Sequence, residues 1–188
     1  MSMDKMIPLM LGGIKDTLYM TTVSTLFAYL LGLPLAILLV LTAPSGLKPQ
    51  KLVYRLLDTV VNIFRSIPFL ILMILVIPVT RAIAGKAYGS TATIVPLVIA
   101  AAPYVARMIE SSLREVDSGV IEAAQSMGSN NFQIICKVLI PEAKPSLLVG
   151  SAIAITTILG YTPMTYLVGG GGLGQLAIQY GIYRSNAT

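Results

Sequence analysis

The glycine-rich run Gly169–Gly174 is the segment whose pattern points most directly to chemistry, because it contains G-x-G-x-x-G. In dinucleotide-binding proteins this pattern lies between a strand and a helix, with an acidic residue about 20 positions later. Here the run follows a long apolar segment, and no Asp or Glu comes after it. We therefore reject a dinucleotide site. The sequence also has no G-K-[ST] phosphate loop, so it has no visible means of hydrolysing ATP.

Side chains suited to metal, thiol or proton chemistry are few. The sequence has no histidine and one cysteine, Cys136, which argues against a zinc site and excludes an internal disulfide. We read Cys136 as a small, inert apolar residue. Asp58 and Glu110 stand at the ends of apolar segments, whereas an ion-driven carrier requires acids buried within them. We therefore expect no metal site and no enzymatic activity in this chain.

The composition is that of a membrane protein. Hydrophobic residues make up 55% of the 188 residues and charged residues only 11%, against about 25% charged in soluble domains. The length allows one membrane domain, residues 1–188. A net charge of +5 would suggest nucleic acid in a soluble protein, but here the basic residues fall in loops, where they orient membrane helices. We expect membrane lipid around the chain and no nucleic-acid partner.

Four apolar segments are long enough to cross a bilayer as helices, which takes about 20 residues each. We therefore predict an all-α, polytopic helical bundle in which four spanning helices are visible. A short mixed segment precedes the first span, and the turn Pro44–Pro49 follows it. The four predicted spans run over about Thr17–Leu41, Asp58–Val79, Thr91–Met108 and Pro145–Leu167.

Charged residues near the span ends allow more than one interpretation. Arg65 either reaches the lipid headgroups or pairs with an acid on another helix or a partner subunit. After the third span, Glu110 and Arg114 stand four apart with the acid first, the favourable order for a helical ion pair. Exposed pairs of this kind contribute only about 0.3–0.5 kcal/mol. We interpret the stretch Arg107–Asp117 as a solvated helix end.

The far part of the fourth span holds two candidates for lining a passage. Tyr161 and Met164 lie there among threonines and a proline. A thioether side chain adapts its shape readily. Tyr161 and Met164 are therefore candidates for lining a narrow passage, and core packing is the preferred interpretation of Met164.

The most polar island in the second half of the chain is residues 118–141, between the third and fourth spans. Its apolar residues recur at helical spacing, which predicts a short helix. Ser118 or Gly119 opens this helix, and Gly128 ends it by taking a left-handed conformation. The apolar residues at that spacing are Val120, Ala123, Ala124 and Met127.

A second short helix is predicted after the glycine turn. Asn130 followed three residues later by Gln133 is typical of an N-terminal cap. The helix runs from Asn131 to about Leu139, and Pro141 stops it because proline disfavours helical geometry in the residue before it. The island is therefore a helix, a sharp turn and a second helix at a membrane surface.

This island resembles the EAA loop of bacterial ABC importer permeases. Glu122-Ala-Ala, Gly128 and Pro141 have the family spacing, while Val138 and Ile140 replace the usual isoleucine and leucine before the proline. The resemblance implies a cytoplasmic coupling helix that docks on a separate ATPase and transmits its opening and closing. A loop helix that floats at the membrane interface is the alternative. The residues given the coupling role are Glu122, Ala123, Ala124, Met127, Gly128 and Pro141.

Two further stretches are similar to the methionine-importing branch of this family: Arg65–Phe69, and Gly171–Gln175 together with Gln179–Gly181. The resemblance implies the membrane-spanning subunit of an ATP-driven methionine importer. Another small solute, such as a phosphonate or a polar amino acid, an ion-coupled carrier, and a membrane scaffold are the alternatives. Members of this branch have five spanning helices. The fifth would begin near Asn186–Thr188, so we expect a C-terminal segment to be lacking.

The resemblance also implies the partners and the location. Two ATPase subunits would bind the ATP and Mg, leaving this chain without a cofactor. A second copy of the chain would complete a homodimer, and an extracytoplasmic substrate-binding protein would deliver the cargo. We call residues 118–141 the coupling loop. We expect a multi-pass protein of the bacterial inner membrane with this loop in the cytoplasm and the N-terminus outside. A modest excess of basic residues on the coupling-loop side agrees with this orientation.

Overall fold

The computed structural model describes residues 3–183 and the side chains of residues 6–182, and every regular element in that range is helical. The fifth helix expected near Asn186–Thr188 lies outside the described residues. Three short segments are not α-helical: Ile135–Leu139 and Ala177–Tyr183 are π-helical, and Thr162–Val168 is a 3-10 helix. The α-helices are α1 (Met3–Thr42), α2 (Lys51–Ser66), α3 (Phe69–Leu75), α4 (Ile77–Ala84), α5 (Ile94–Arg114), α6 (Ser118–Ser126), α7 (Asn131–Ile134), α8 (Ile140–Glu142), α9 (Lys144–Tyr161) and α10 (Leu173–Leu176).

Within residues 3–183, three helical segments are long and apolar enough to cross a membrane: Met6–Thr42, Ile94–Arg114 and Lys144–Val168. The bent pair formed by α2 and α3 passes the same test as one broken span or as a re-entrant loop, which gives up to four spans. The prediction of an all-α polytopic protein is therefore confirmed.

The first helix is longer than predicted. The mixed segment before Thr17 was expected to precede the span, but α1 is helical from Met3 and continues without a break to Thr42. Extending an existing helix fixes one residue for each hydrogen bond gained, whereas starting one is costly. The scattered charges of the N-terminal segment therefore do not separate it from the apolar helix that follows.

The second span is not the single helix predicted over Asp58–Val79. α2 already begins at Lys51, and the helix breaks at Ile67 and Pro68 before α3. Pro68 is the N-cap of α3 in an extended conformation, and a proline pushes the preceding residue away from helical geometry. The proline therefore decides where α2 ends.

The third span and the loop before it are also displaced from their predicted bounds. Arg81, predicted to lie in a loop, is in the last turn of α4, which ends at Gly85 with φ +72°. α5 begins at Ile94 and continues to Arg114, six residues beyond the predicted end at Met108. Charged residues extend this helix because they find partners along it, as described below.

Pro141 does not stop the helix as predicted. Residues 135–139 widen into a π turn in which the Ile140 amide donates to the Ile135 carbonyl, and α8 carries the helix through Pro141. A proline removes one helical donor, and a wider turn lets the neighbouring carbonyls find other partners. Ala143 N then donates to Leu139 O at 2.9 Å. The polar island therefore runs into α9 with only a turn at Ala143.

The chain divides into two compact units. The first comprises Met1–Phe27, Ile67–Ala101 and Ile155–Thr188. Its core contains Met20, Phe69, Met73 and Leu97. The Thr93 hydroxyl donates to Met20 Sδ at 3.1 Å, so one of the few polar groups in this core has a partner. The second unit comprises Ala28–Ser66 and Ala102–Ala154.

In the second unit, α1 and α5 approach closely through small residues. Ala28 and Ala36 of α1 and Ala102 and Ala106 of α5 are buried. A Cβ on Gly32 would lie 2.9 Å from Val105 Cγ1 and 3.0 Å from the Ala102 carbonyl oxygen. Small side chains allow membrane helices to pack at short distance. Gly32 therefore sets how close the two helices come.

Replacing Gly32 by leucine should push α1 away from α5 and lower stability by about 1–3 kcal/mol, the usual cost of overpacking. Thermal melting of the purified protein in detergent measures this effect. Gly12→Leu on the same helix is the matched control, since nothing lies within 4 Å of a Cβ at that position. Equal melting temperatures for the two variants would contradict the close-approach argument.

Candidate functional site

The first helix of the polar island, α6, has the bounds that the sequence predicts. Asp117 caps it, with its Oδ1 accepting from the Gly119 amide at 2.7 Å. The helix covers Ser118–Ser126, and Gly128 follows with φ +80°. An L-residue with a side chain is strained in that conformation. Gly128 therefore provides the turn that separates the two short helices.

The second short helix begins with the cap predicted for it. Asn130 Oδ1 accepts from the Gln133 amide, and Gln133 Oε1 accepts from the Asn130 amide, both at 2.9 Å. This reciprocal arrangement is a capping box and satisfies two amides that a helix start leaves without partners. The sharp turn at Gly128 is thus fixed on its C-terminal side by two hydrogen bonds.

The apolar stripe predicted on α6 is divided between interior and surface. Ala124 is buried, whereas Val120 and Met127 are exposed, Met127 at 79%. Phe132 on the second helix is 74% exposed. The island therefore exposes large apolar side chains on each side of the glycine turn. The remaining coupling candidates, Glu122, Ala123, Gly128 and Pro141, are exposed as well.

The carboxylate of Glu110 is the feature that the sequence interpretation missed. It was assigned to a solvated helix end, but its residue is only 1% exposed. Arg107 Nη1 donates to its Oε2 at 2.7 Å, and Arg114 Nη2 lies 2.7 Å from its Oε1. The interpretation as a solvated helix end is therefore wrong for Glu110, which is buried in contacts between α5 and α2, whereas Glu115 and Asp117 are exposed.

Both arginines also contact α2. Arg107 Nη2 forms an ion pair with Asp58 and donates to Asn62 Oδ1 at 3.0 Å. Arg114 Nη2 donates to the Tyr54 hydroxyl at 3.1 Å. We call this set the charge ladder. It comprises Tyr54, Asp58 and Asn62 of α2, and Arg107, Glu110 and Arg114 of α5.

A sequence signal for the charge ladder exists in hindsight. Its α2 members recur every four residues, and its α5 members stand at i, i+3 and i+7, so each set shares one helical face. Helical spacing alone cannot reveal that the two faces meet. By contrast, Arg65 lies exposed in the last turn of α2. The structure gives it no ion pair with another described residue, so the headgroup and partner-subunit interpretations both remain open.

The two residues predicted to line a passage have different surroundings. The ring of Tyr161 stacks on Phe69, with 4.6 Å between centroids and 7° between planes, and it packs against the core of the first unit. Met164 follows in the 3-10 segment and is 40% exposed. The structure thus gives Tyr161 a packing contact, while the Met164 side chain remains accessible.

The glycine-rich run has a packing role in the first unit. Gly171 N donates to Ser90 Oγ at 3.2 Å, and Ser90 Oγ donates to Asp16 Oδ2 at 3.2 Å. A Cβ on Gly171 would collide with both Asp16 and Ser90. Leu173 N, at the start of α10, donates to Thr17 Oγ1 at 2.9 Å. The run therefore joins α1 and the loop before α5.

Among the residues that the structure describes, no group of three or more His, Cys, Asp or Glu side chains could hold a metal ion. Cys136 lies in the π turn of the polar island and is exposed. The features that stand out are thus a surface with exposed apolar side chains and a buried ion network close to it.

Comparison with known proteins gives consistent results. The family model "Binding-protein-dependent transport system inner membrane component" matches residues 28–187. The probable D-methionine transport system permease protein MetI of Vibrio cholerae is 49% identical over 96% of this chain and 80% of its own length. The D-methionine transport system permease protein MetI of Escherichia coli is 46% identical over 86% and 74%.

Solved structures give the same fold. An inward-facing structure of the MetNI methionine ABC transporter matches with a TM-score of 0.96 and 46% identity, covering all of this chain and 87% of that one. A crystal structure of an amino acid ABC transporter with histidines matches at a TM-score of 0.78 and 23% identity, which supports the fold alone.

The fold and the sequence matches define a membrane-embedded transport subunit. The chain belongs to the family of binding-protein-dependent transport system inner membrane components. It is therefore an ABC permease subunit of an inner membrane, as its resemblance to that family implied.

Replacing Asn130 by alanine should weaken the start of α7, because the Gln133 amide loses its acceptor. Loss of such a cap typically costs about 1 kcal/mol, which corresponds to roughly fivefold faster local hydrogen exchange. Exchange at residues 130–134 measures the effect. Asn131→Ala is the matched control one residue later, and equal exchange in both variants would contradict the role of the cap.

Proposed function

We propose that this chain is the membrane-spanning subunit of an ATP-driven importer for methionine. It forms the translocation path and couples it to separate ATPase subunits. The observation that carries the proposal is the coupling loop, residues 118–141, which presents α6 beside a left-handed glycine turn. The proteins it resembles at 46–49% identity are D-methionine transport permeases.

The same comparisons support a proposal for the partners. The family name refers to a substrate-binding protein, and the MetNI structure is of an ABC transporter, a class powered by ATPase subunits. We propose two ATPase subunits that bind ATP and Mg, a second copy of this chain, and an extracytoplasmic binding protein. In this assembly the present chain hydrolyses no ATP and contributes the passage.

The coupling role would fall on the exposed part of the loop. Docking of α6 on an ATPase would cover Met127, whose side chain otherwise remains in water. Glu122 would supply a charge next to it, Ala123 and Gly128 would allow close approach, and Ala124 would anchor the helix to the chain. Pro141 would mark the point where the π-helical segment leads into α9.

The transport cycle would begin with ATP binding, which brings the two ATPases together. Each would pull on α6, and the pull would reach α5 through residues 115–117 and α9 through residues 129–143. The passage would open outward to the binding protein, and hydrolysis would reverse the change. Such a cycle requires two stable states that ATP shifts. Tyr161 and Met164 would lie along the path, Met164 with its side chain already accessible.

The orientation depends on the bent pair. If α2 and α3 together make one crossing, three spans separate the N-terminus from the coupling loop. With the coupling loop on the cytoplasmic side, the N-terminus is then outside. We further propose that residues 1–188 act as one permease domain, since the family model spans both compact units.

The buried acid Glu110 raises the alternative of an ion-coupled carrier. A carrier needs a carboxylate that can release its pairing to bind an ion or a proton. Two arginines compensate Glu110, and no buried His, Lys or second carboxylate accompanies it among the described residues. The contacts of Glu110 thus support a structural ion network and argue against the carrier.

Uptake of labelled methionine into proteoliposomes tests the function. The vesicles contain this permease, its ATPase and its binding protein, with or without ATP on the ATPase side. ATP-dependent accumulation is expected. Hydrolysis without methionine uptake would retain the permease function and replace the cargo with a phosphonate or another amino acid. Uptake driven by an ion gradient without ATP would favour the carrier.

Replacing Gly128 by valine should abolish most ATP-driven uptake, because the turn after α6 would be strained. A side chain in this conformation costs about 1–2 kcal/mol, enough for a roughly 5–30-fold shift of a two-state equilibrium. Gly85→Val is a matched control, since Gly85 has φ +72° and equally open surroundings at the end of α4. Both variants should lose similar thermal stability, and only Gly128→Val should lose uptake. Equal loss of uptake would contradict the coupling role.

A further inference from the structure

We propose that the charge ladder makes α2 and α5 one rigid lever, so that displacement of the coupling loop moves α2 as well as α5. The proposal rests on the coupling role given above to residues 118–141. It assigns a function in energy coupling to Asp58, Glu110, Arg107 and Arg114. These are positioning residues.

The first argument is the geometry of the ladder. Arg107 of α5 contacts Asp58 and Asn62 of α2. Arg114, seven residues later on α5, contacts Tyr54, which lies four residues before Asp58 on α2. Residues thus pair in opposite order along the two helices, as expected for antiparallel neighbours. Asn62 Nδ2 also donates to Asp58 Oδ2 at 3.2 Å. Contacts at both ends of the ladder resist sliding and rotation of one helix against the other.

The second argument is burial. Side-chain exposure is 2% for Glu110, 24% for Arg107 and 31% for Asp58. Two carboxylates meet two guanidinium groups, so the ladder is electrically balanced. If the two helices separated, Glu110 and the two arginines would lose the negative charge of Asp58. The remaining, partly buried charges would then be unbalanced, and that imbalance is unfavourable. The ladder should therefore remain closed while the rest of the protein changes conformation.

The third argument is the position of the ladder next to the coupling loop. Arg114 is the last residue of α5, and α6 begins at Ser118, after a link of three residues. Asp117 caps α6 within that link. Because the link has only three residues and one of them caps α6, a displacement of α6 is transmitted to α5 with little loss. The arginine that ends α5 is the same residue that holds Tyr54 of α2, so α2 receives the displacement at that point.

Glu110→Gln tests the ladder in the reconstituted importer. The amide keeps the shape of the side chain but removes its charge, so one arginine loses its compensation. We expect methionine taken up per ATP hydrolysed to fall at least about fivefold, the lower end of typical coupling between sites. Assembly with the ATPase should stay at the wild-type level. Arg55→Gln is the matched control, since it removes an exposed charge from α2 outside the ladder, and it should keep the wild-type ratio.

A second change distinguishes positioning from general damage. Glu110→Asp keeps a carboxylate beside Arg107 and Arg114 and should retain more of the wild-type ratio than Glu110→Gln. A role in stability alone would lower uptake and hydrolysis in proportion and leave their ratio unchanged, and that result would overturn the proposal. If the wild-type complex hydrolyses ATP but moves no methionine, the cargo assignment fails. The rigidity of the ladder is then tested by the distance measurement described next.

Spin labels on exposed Thr59 of α2 and exposed Ser111 of α5 test rigidity with the ladder intact. They are placed as Thr59→Cys and Ser111→Cys in a Cys136→Ser background, in complex with the ATPase. The distance between the labels should be the same in the nucleotide-free and ATP-bound states. A change in this distance between the two states would show that the helices separate and would overturn the proposal. A second label pair, Thr59→Cys with a label on the ATPase, must change in distance, which verifies that the complex has switched.

Discussion

The pairing of Glu110 with two arginines is the interaction on which the junction between α2, α5 and the coupling loop depends. A carboxylate with 1% exposure is stable only when its charge is compensated. Arg107 and Arg114 provide that compensation, and both also bind α2, so the same ion network joins two helices. The coupling loop starts at Ser118, with three residues between it and Arg114, the last member of this network. In the proposed coupling role, a loop attached to a charge-balanced, partly buried ion network would transmit a displacement to the helices. A flexible loop would absorb that displacement.

The coupling loop combines strong local fixation with an exposed surface. Asp117, Gly128 and the Asn130–Gln133 box determine where each short helix begins and ends. Ala124 anchors α6, yet Met127 and Phe132 remain in contact with solvent. Surfaces that bind partners are commonly rigid and apolar, because ordering them during binding would reduce affinity. The loop therefore has the properties expected of a preorganised docking element on an ABC permease.

Glycine and proline have structural roles throughout the chain. Gly32 permits the close approach of α1 and α5, and Gly171 fits between Asp16 and Ser90. Pro68 breaks a span, whereas Pro141 is accommodated by a π turn. The two prolines differ because the residues before Pro141 can widen their helix, while the chain at Pro68 becomes extended. The pattern G-x-G-x-x-G at residues 169–174 belongs to this packing group.

The sequence by itself determined the class of the protein, the helical architecture and the coupling loop. Apolar length, caps and turn glycines are local properties, and the loop spacing resembles that of the ABC permease family. Only the tertiary structure decided that Glu110 is buried, that Arg107 pairs with Asp58 49 residues away, and that Tyr161 stacks on Phe69. A charged residue at a helix end has the same local pattern whether water or another helix faces it. Which of the two it meets depends on how distant segments pack, and spacing along one helix does not encode that.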